Sequence, residues 1–203
     1  MKKILFLSAM LGLNITAFSQ ETTSFSLTKG TKLTYNVEQG TKEYQFIMKI
    51  TELDKKVSFD WEMTAPVNKS GSVTMAAEAM KNATALFNYF NGGKTTLTQE
   101  TSAFISRDAY KSIEENKSVT LSAEGKNGTP ELFEVLESNT SEKNGSTYIS
   151  YIKPVNGKEF TFDSHILENA DGKKAIRVWK NAEFPLILFM ETNFKIYLMN
   201  IEQ

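Results

Sequence analysis

Between Lys32 and Met63 the chain alternates apolar and polar residues in three successive runs, and that pattern confines this region to antiparallel sheet. In the first run Leu33, Tyr35 and Val37 oppose Lys32, Thr34, Asn36 and Glu38. The turn Glu38-Gln39-Gly40-Thr41 follows, with Gly40 free to take a positive φ. In the second, Tyr44, Phe46, Met48 and Ile50 share one face against Glu43, Gln45 and Lys49. Asp54-Lys55 then turns the chain into a third, where Val57, Phe59, Trp61 and Met63 oppose Ser58, Asp60 and Glu62. A strand places successive side chains on opposite faces, so these runs predict a meander with one wet face and one strongly aromatic face.

Beyond Pro66 and Gly71 the period changes. Ala76, Met80, Ala83, Phe87 and Phe90 recur at three- and four-residue spacing, which predicts an amphipathic helix over residues 76–90, stopped by Asn91-Gly92-Gly93. Such a helix could cover the aromatic face of the meander. A strand is predicted over 95–105, then a short helix over 107–116 with Ser106 as N-cap, Asp108 at its positive end, and Tyr110 and Ile113 buried. Asn127-Gly128-Thr129-Pro130 and residues 138–146 read as loops between strands. Further strands are predicted at 118–122, 131–137, 147–152 after an Asn144-Gly145 turn, 158–167, 174–180, 184–190 and 194–201. Asp171-Gly172 is the strongest hairpin signal. Residues 184–190 are apolar on both faces and so call for cover on both sides, with Pro185 at the strand start.

About ten strands and two helices without βαβ alternation predict an α+β fold. Its main element is a curved, mainly antiparallel sheet, an open half-barrel wrapped around the 76–90 helix, with the short second helix beside it. A closed barrel would leave that helix no natural place.

The chain opens with Lys2 and Lys3, an apolar stretch from Ile4 to Leu13, and Ala17-Phe18-Ser19 before Gln20. That order reads as a secretory signal peptide over 1–19, cleaved before Gln20. Its apolar stretch is too short to span a membrane and no second one follows, so no integral membrane span is expected. Residues 20–203 then form a single β-rich domain, periplasmic or secreted. There is no cysteine. Disulfides, thiolate chemistry and a lipid-modified cysteine are therefore excluded, and the domain must rest on buried apolar area. Setting aside Lys2 and Lys3 leaves 21 of the 23 basic residues against 24 acids, a formal charge of −3 with the bases scattered. A nucleic-acid surface needs a positive stripe, and this chain has none.

The segment Thr101-Ser102-Ala103-Phe104-Ile105-Ser106-Arg107, the pair Ser70-Gly71 and the run Phe184-Pro185-Leu186-Ile187-Leu188 together resemble an uncharacterised family of exported Bacteroidota proteins. The architecture is similar to the open half-barrels of periplasmic lipoprotein and lipid carriers. The resemblance implies a fold and a compartment. It brings no catalytic pattern.

Each motif for chemistry has a plainer reading beside it. His165, the single histidine, is predicted to face water with Thr161 and Asp163, opposite Phe160 and Phe162. One histidine without cysteine gives no transition-metal set, and no cofactor is expected. Ser106 suits helix capping better than nucleophilic attack. Asp60 and Glu62 lie about 7 Å apart along one strand face, a spacing compatible with glycan hydrolysis but equally with a solvated face. Tyr151 and Trp179 each face away from the large apolar residues of their strands, so exposure and stacking on sugar rings is one expectation for them.

The aromatic face carries the main functional expectation. Tyr35, Tyr44, Phe46, Phe59 and Trp61 converge there, with Met80 and Phe87 of the helix available to cover them. Complete cover would make a core; a gaping sheet would make an apolar pocket. The expected partner is a hydrophobic small molecule or lipid, or a lipidated protein, bound by a non-enzymatic carrier. A structural partner of another envelope protein is the alternative, and a carboxylate-based hydrolase comes third.

Overall fold

The computed structural model describes residues 25–136 and 151–203. The leader at 1–19, the loop at 138–146 with its Asn144-Gly145 turn, and the start of the 147–152 strand lie outside the described residues.

The alternating runs become β1 (Lys32–Gln39), β2 (Lys42–Leu53) and β3 (Val57–Met63), joined edgewise by β4 (Lys69–Met75). Most of their apolar positions are buried as the period demands, Leu33, Met48 and Phe59 completely, while Tyr44 and Met63 are half-buried. In register, Leu33, Met48, Trp61 and Gly71 follow one another across the four strands, and β6 (Gly93–Leu97) adds Gly93 to the row in parallel. The Trp61 indole needs this glycine: a Cβ on Gly71 would stand 2.9 Å from Trp61 Cζ2 and 2.2 Å from the Gly93 carbonyl oxygen.

The C-terminal half makes a second meander of β12 (Ser164–Asn169), β13 (Ala175–Trp179), β14 (Ile187–Glu191) and β15 (Lys195–Glu202). Strand β15 pairs antiparallel with β1, so the two meanders join at the first and last strands. Strands β9 (Glu131–Val135) and β8 (Ser118–Leu121) extend the far side. The hairpin of β10 (Tyr151–Val155) and β11 (Lys158–Phe162) touches β15 at Val155 and Ile201. The result is one 13-stranded sheet, largely antiparallel, with β6 and β8 as its ends and no pairing between them. The α+β class holds; the sheet is open, and about ten strands is an undercount against the 13 of this sheet and the two of a separate parallel pair.

Two apolar cores lie on this sheet. One gathers the inner faces of β1–β4 with Leu186, Leu188, Leu198 and Ile201; the other gathers the helix α2 (Arg107–Asn116), β8, β9, β12 and β13 with Ile187 and Met190. Leu186 and Leu188 serve the first core and Ile187 and Met190 the second, which is why that run is apolar on both faces. Helix α2 has the expected bounds. The Ser106 hydroxyl accepts the Ala109 N–H, and Ala109, Tyr110 and Ile113 are buried.

Three local expectations are corrected. The helix over 76–90 shrinks to α1 (Ala77–Asn82), with Ala79 and Met80 buried. Ala76 supplies no side-chain cap, and the chain beyond Ala83 finds sheet partners instead. Leu86 N–H bonds the Ser122 carbonyl, Ser122 N–H bonds that of Thr84, and Phe87 N–H bonds that of Thr101. A marginal short helix yields to such tertiary pairing. The strand over 95–105 breaks after Leu97; only β7 (Glu100–Thr101) continues, paired in parallel with β5 (Ala85–Leu86). The strand over 158–167 breaks at Asp163, between β11 and β12. That break shifts the alternation by one residue, so His165 and Leu167 are buried, not Ile166.

Candidate functional site

The first core opens at one end into an apolar pocket of about 100 Å³. Strand β1 supplies Tyr35, Val37 and Gln39, and β2 supplies Tyr44 and Phe46. The segment after β5 closes it with Phe87, Asn88 and Phe90. Ser102 and Ala103 line it from the stretch after β7, while Ile187 and Met190 of β14 and Phe194 and Ile196 near β15 complete the wall.

Its wall is fixed by the backbone of residues 100–105, which threads between two other segments. Phe87 N–H bonds the Thr101 carbonyl on one side. On the other, Ile187 N–H bonds the Ala103 carbonyl and Ile105 N–H bonds that of Pro185, around a bridge between Phe104 and Leu186. This threading carries local cost. Ala103 sits at φ 59°, a left-handed conformation that a Cβ disfavours. The Ser102 N–H has a thioether acceptor, Met75 Sδ at 3.1 Å. The buried Thr101 hydroxyl has no hydrogen-bond partner among the described residues. Strain concentrated in one short segment is what sites hold and ordinary cores avoid.

The seven aromatic and methionine positions divide. Tyr35, Tyr44, Phe46 and Phe87 line the pocket. Phe59 and Met80 are fully buried in the core and Trp61 nearly so, and none of the three is part of the lining. Phe90 explains Trp61: its ring lies 5.0 Å from the indole and 4.7 Å from Phe46, centroid to centroid, and caps both. Tyr35 is buried, and its hydroxyl donates to the Ile187 carbonyl at 3.0 Å. Burial raises its pKa well above the ordinary phenol value, and raises that of half-buried Tyr44 as well. Both stay neutral. The lining thus offers hydroxyls and amides as polar groups and no charged side chain. It can hold an apolar group and orient it by one or two hydrogen bonds, but it presents no acid or base to a bound molecule.

The C-terminal wall was not foreseen as lining. Its signal was the two-sided apolar run at 184–190. Ala103 carried no signal, because nothing in an alanine announces a positive φ.

The remaining candidates resolve structurally. Asp60 and Glu62 are exposed on the outer face of β3 and line no pocket described here. His165 does not face water: it is 7 % exposed, with Nε2 2.6 Å from Glu114 Oε1. Tyr110 donates to the same oxygen at 2.8 Å. Hydrogen bonds from His165 and then Tyr110 hold the Glu114 carboxyl below its usual range. Trp179 is buried against Phe25 and Phe162, centroids 5.2 and 5.8 Å away. The Tyr151 hydroxyl reaches the Leu188 carbonyl at 2.7 Å, with the Arg177 guanidinium 5.0 Å from its ring centroid. Neither aromatic is a free stacking platform. Among the described residues no three His, Asp or Glu side chains gather to hold a metal ion, and no helix is long and apolar enough to cross a membrane.

Comparison of the chain with protein-family models, with curated proteins and with solved structures finds no match.

Proposed function

We propose that this chain is an exported, non-enzymatic binding module that takes a small apolar group into the pocket between β1, β2, Phe87 and β14. The observation that carries this reading is the pocket itself: an uncharged, largely apolar lining rich in aromatics around about 100 Å³, held by a strained segment at Ala103. An apolar cavity of about 150 Å³ takes a benzene ring, whereas whole drug-sized ligands use roughly 300 Å³ or more. The occupant is therefore one end of a molecule, such as the tip of an acyl chain or of a lipidated partner, and the rest stays outside. The leader-like start of the sequence and its likeness to exported Bacteroidota proteins support placement in the periplasm or outside the cell. The open sheet supports a half-barrel whose mouth this pocket forms.

The assembly-partner reading rests on exposed sheet edges or an exposed Trp179 surface, and the hydrolase reading on Asp60 and Glu62 beside a cavity. The two acids lie on the outer face, so the hydrolase reading loses its motive; Trp179 is buried, which leaves the open sheet ends at β6 and β8 as the ground of the assembly reading. Native mass spectrometry of protein purified from its own host tests the proposal. The expected spectrum shows a bound apolar molecule that Phe46→Ala releases. A bare polypeptide mass, together with no binding of added short-chain alcohols, would overturn it.

A further inference from the structure

A second cavity, of about 320 Å³, shares the Phe87 wall with the apolar pocket but differs in chemistry. Its walls mix polar residues, Thr95, Thr96, Glu100, Lys126 and Asn127, with Phe87, Tyr89 and Leu97, and present more apolar than polar surface. We propose that it binds an uncharged polyhydroxylated ring, a pyranose, at a site separate from the apolar pocket.

Three features lead there. The first is a platform. Tyr89 is 59 % exposed, the most exposed large aromatic residue described, yet it is not loose. Its hydroxyl donates to the Glu124 carbonyl at 3.1 Å, and the neighbouring Asn88 amide donates to Ala123 at 3.1 Å. An exposed aromatic held at its polar tip presents a fixed apolar face, and the C–H face of a sugar ring is the complement to such a surface.

The second is an anchored acceptor. Glu100 is 8 % exposed and lies in the cavity wall, where one carboxylate oxygen receives the Lys126 N–H at 2.9 Å. Its second oxygen accepts from no described residue and is not a buried orphan. A carboxylate oxygen open to a cavity can accept further hydrogen bonds, and sugar hydroxyls are donors suited to it.

The third is the way the two are brought together. A Cβ on Gly125 would meet Tyr89 Cε2 at 3.0 Å and Glu100 Oε1 at 3.2 Å, and its φ of +84° suits glycine. The bare backbone of Gly125 lets platform and acceptor converge.

Charge selects among occupants. Glu100 alone would favour a cation, but Lys126 lines the same cavity and offsets it. An acyl chain would leave the carboxylate and both threonines without donors or acceptors. A neutral ring with hydroxyls around its edge meets all of these groups, and the volume lies within the ordinary range of ligand sites.

The test is a heteronuclear NMR titration of the full chain with methyl glycosides of glucose, galactose, mannose and N-acetylglucosamine. At least one should give saturable shifts at the amides of Tyr89, Thr95, Thr96, Glu100 and Asn127, with a dissociation constant of about 1 mM. Tyr89→Ala should weaken it about tenfold or more. Glu100→Gln, which keeps an acceptor for Lys126 N–H, should weaken it about tenfold; if that variant does not fold, Asn127→Ala takes its place with the same expectation. The proposal is overturned if no glycoside of the panel saturates these amides, if tetramethylammonium shifts them equally, or if Tyr89→Ala binds as the parent does. Octanol, which reports the apolar pocket, should leave these amides unmoved apart from those contacting Phe87. Failure here and failure of the apolar reading are thus separate results.

Discussion

The Tyr35 hydroxyl of β1 donates to the Ile187 carbonyl of β14 at 3.0 Å, although β15 lies between the two strands in the sheet. The bond ties the aromatic meander to the strand whose other face serves the second core. It also sets the back of the apolar pocket, because both residues line it. Removing the hydroxyl alone, by Tyr35→Phe, keeps the ring and breaks the tie. Urea unfolding should show a loss of about 1 kcal/mol. An unchanged midpoint would mean the bond contributes nothing net.

Ala103→Gly should stabilise the protein. The left-handed conformation costs a residue with a Cβ about 1–2 kcal/mol, and the added freedom of glycine in the unfolded chain takes part of that back. The net expectation is a gain of about 0.5–1 kcal/mol, read from the same unfolding curves. A loss of stability would show that the methyl contact in the pocket outweighs the backbone cost.

Gly71→Ala should destabilise by about 1–3 kcal/mol, because its methyl would collide with the backbone of Gly93 and with the Trp61 indole. The damage should appear first at the sheet end: amide exchange should rise across β6 before it rises across β1. Uniform exchange rates across the sheet would contradict this.

The Glu114 carboxyl is held below the usual carboxylate range, chiefly by the hydrogen bond from His165. A carboxyl with a depressed folded pKa contributes stability that is present above the unfolded value and lost as pH falls through the folded one. Stability should therefore drop as the pH is lowered from about 6 to about 3, and Glu114→Gln should drop less steeply than the parent. The comparison with the variant matters, since Glu131, bonded by Lys174, is lowered in the same direction. Parallel curves for parent and Glu114→Gln would show that the His165 contact is not coupled to folding.

The strands of the first meander were legible because one face of each is wet, so the period of two survives in residues such as Lys32, Asn36 and Glu62. Helix α2 was legible because Ser106 and Asp108 mark its start chemically. The helix at 76–90 was misread for a physical reason. Ala83, Phe87 and Phe90 keep helical spacing, but backbone partners at Thr101 and Ser122 lie far away in sequence and draw the chain into extended form. His165 was misplaced by a single break at Asp163, since alternation carries no warning of a phase shift. At the pocket, the β1 and β2 side was readable from its aromatics. The Ala103 segment was not, because a strained backbone leaves no trace in residue type.

The space bounded by Tyr35, Phe46, Phe87 and Ile187 is the proposed seat of an apolar group. Titration of the full chain with straight-chain alcohols of increasing length, followed by NMR at those four residues, tests it most directly. Affinity should rise about fourfold per added methylene while the chain fills the pocket, then level once about 100 Å³ is occupied. Affinity independent of chain length, or shifts that bypass these four residues, would contradict it.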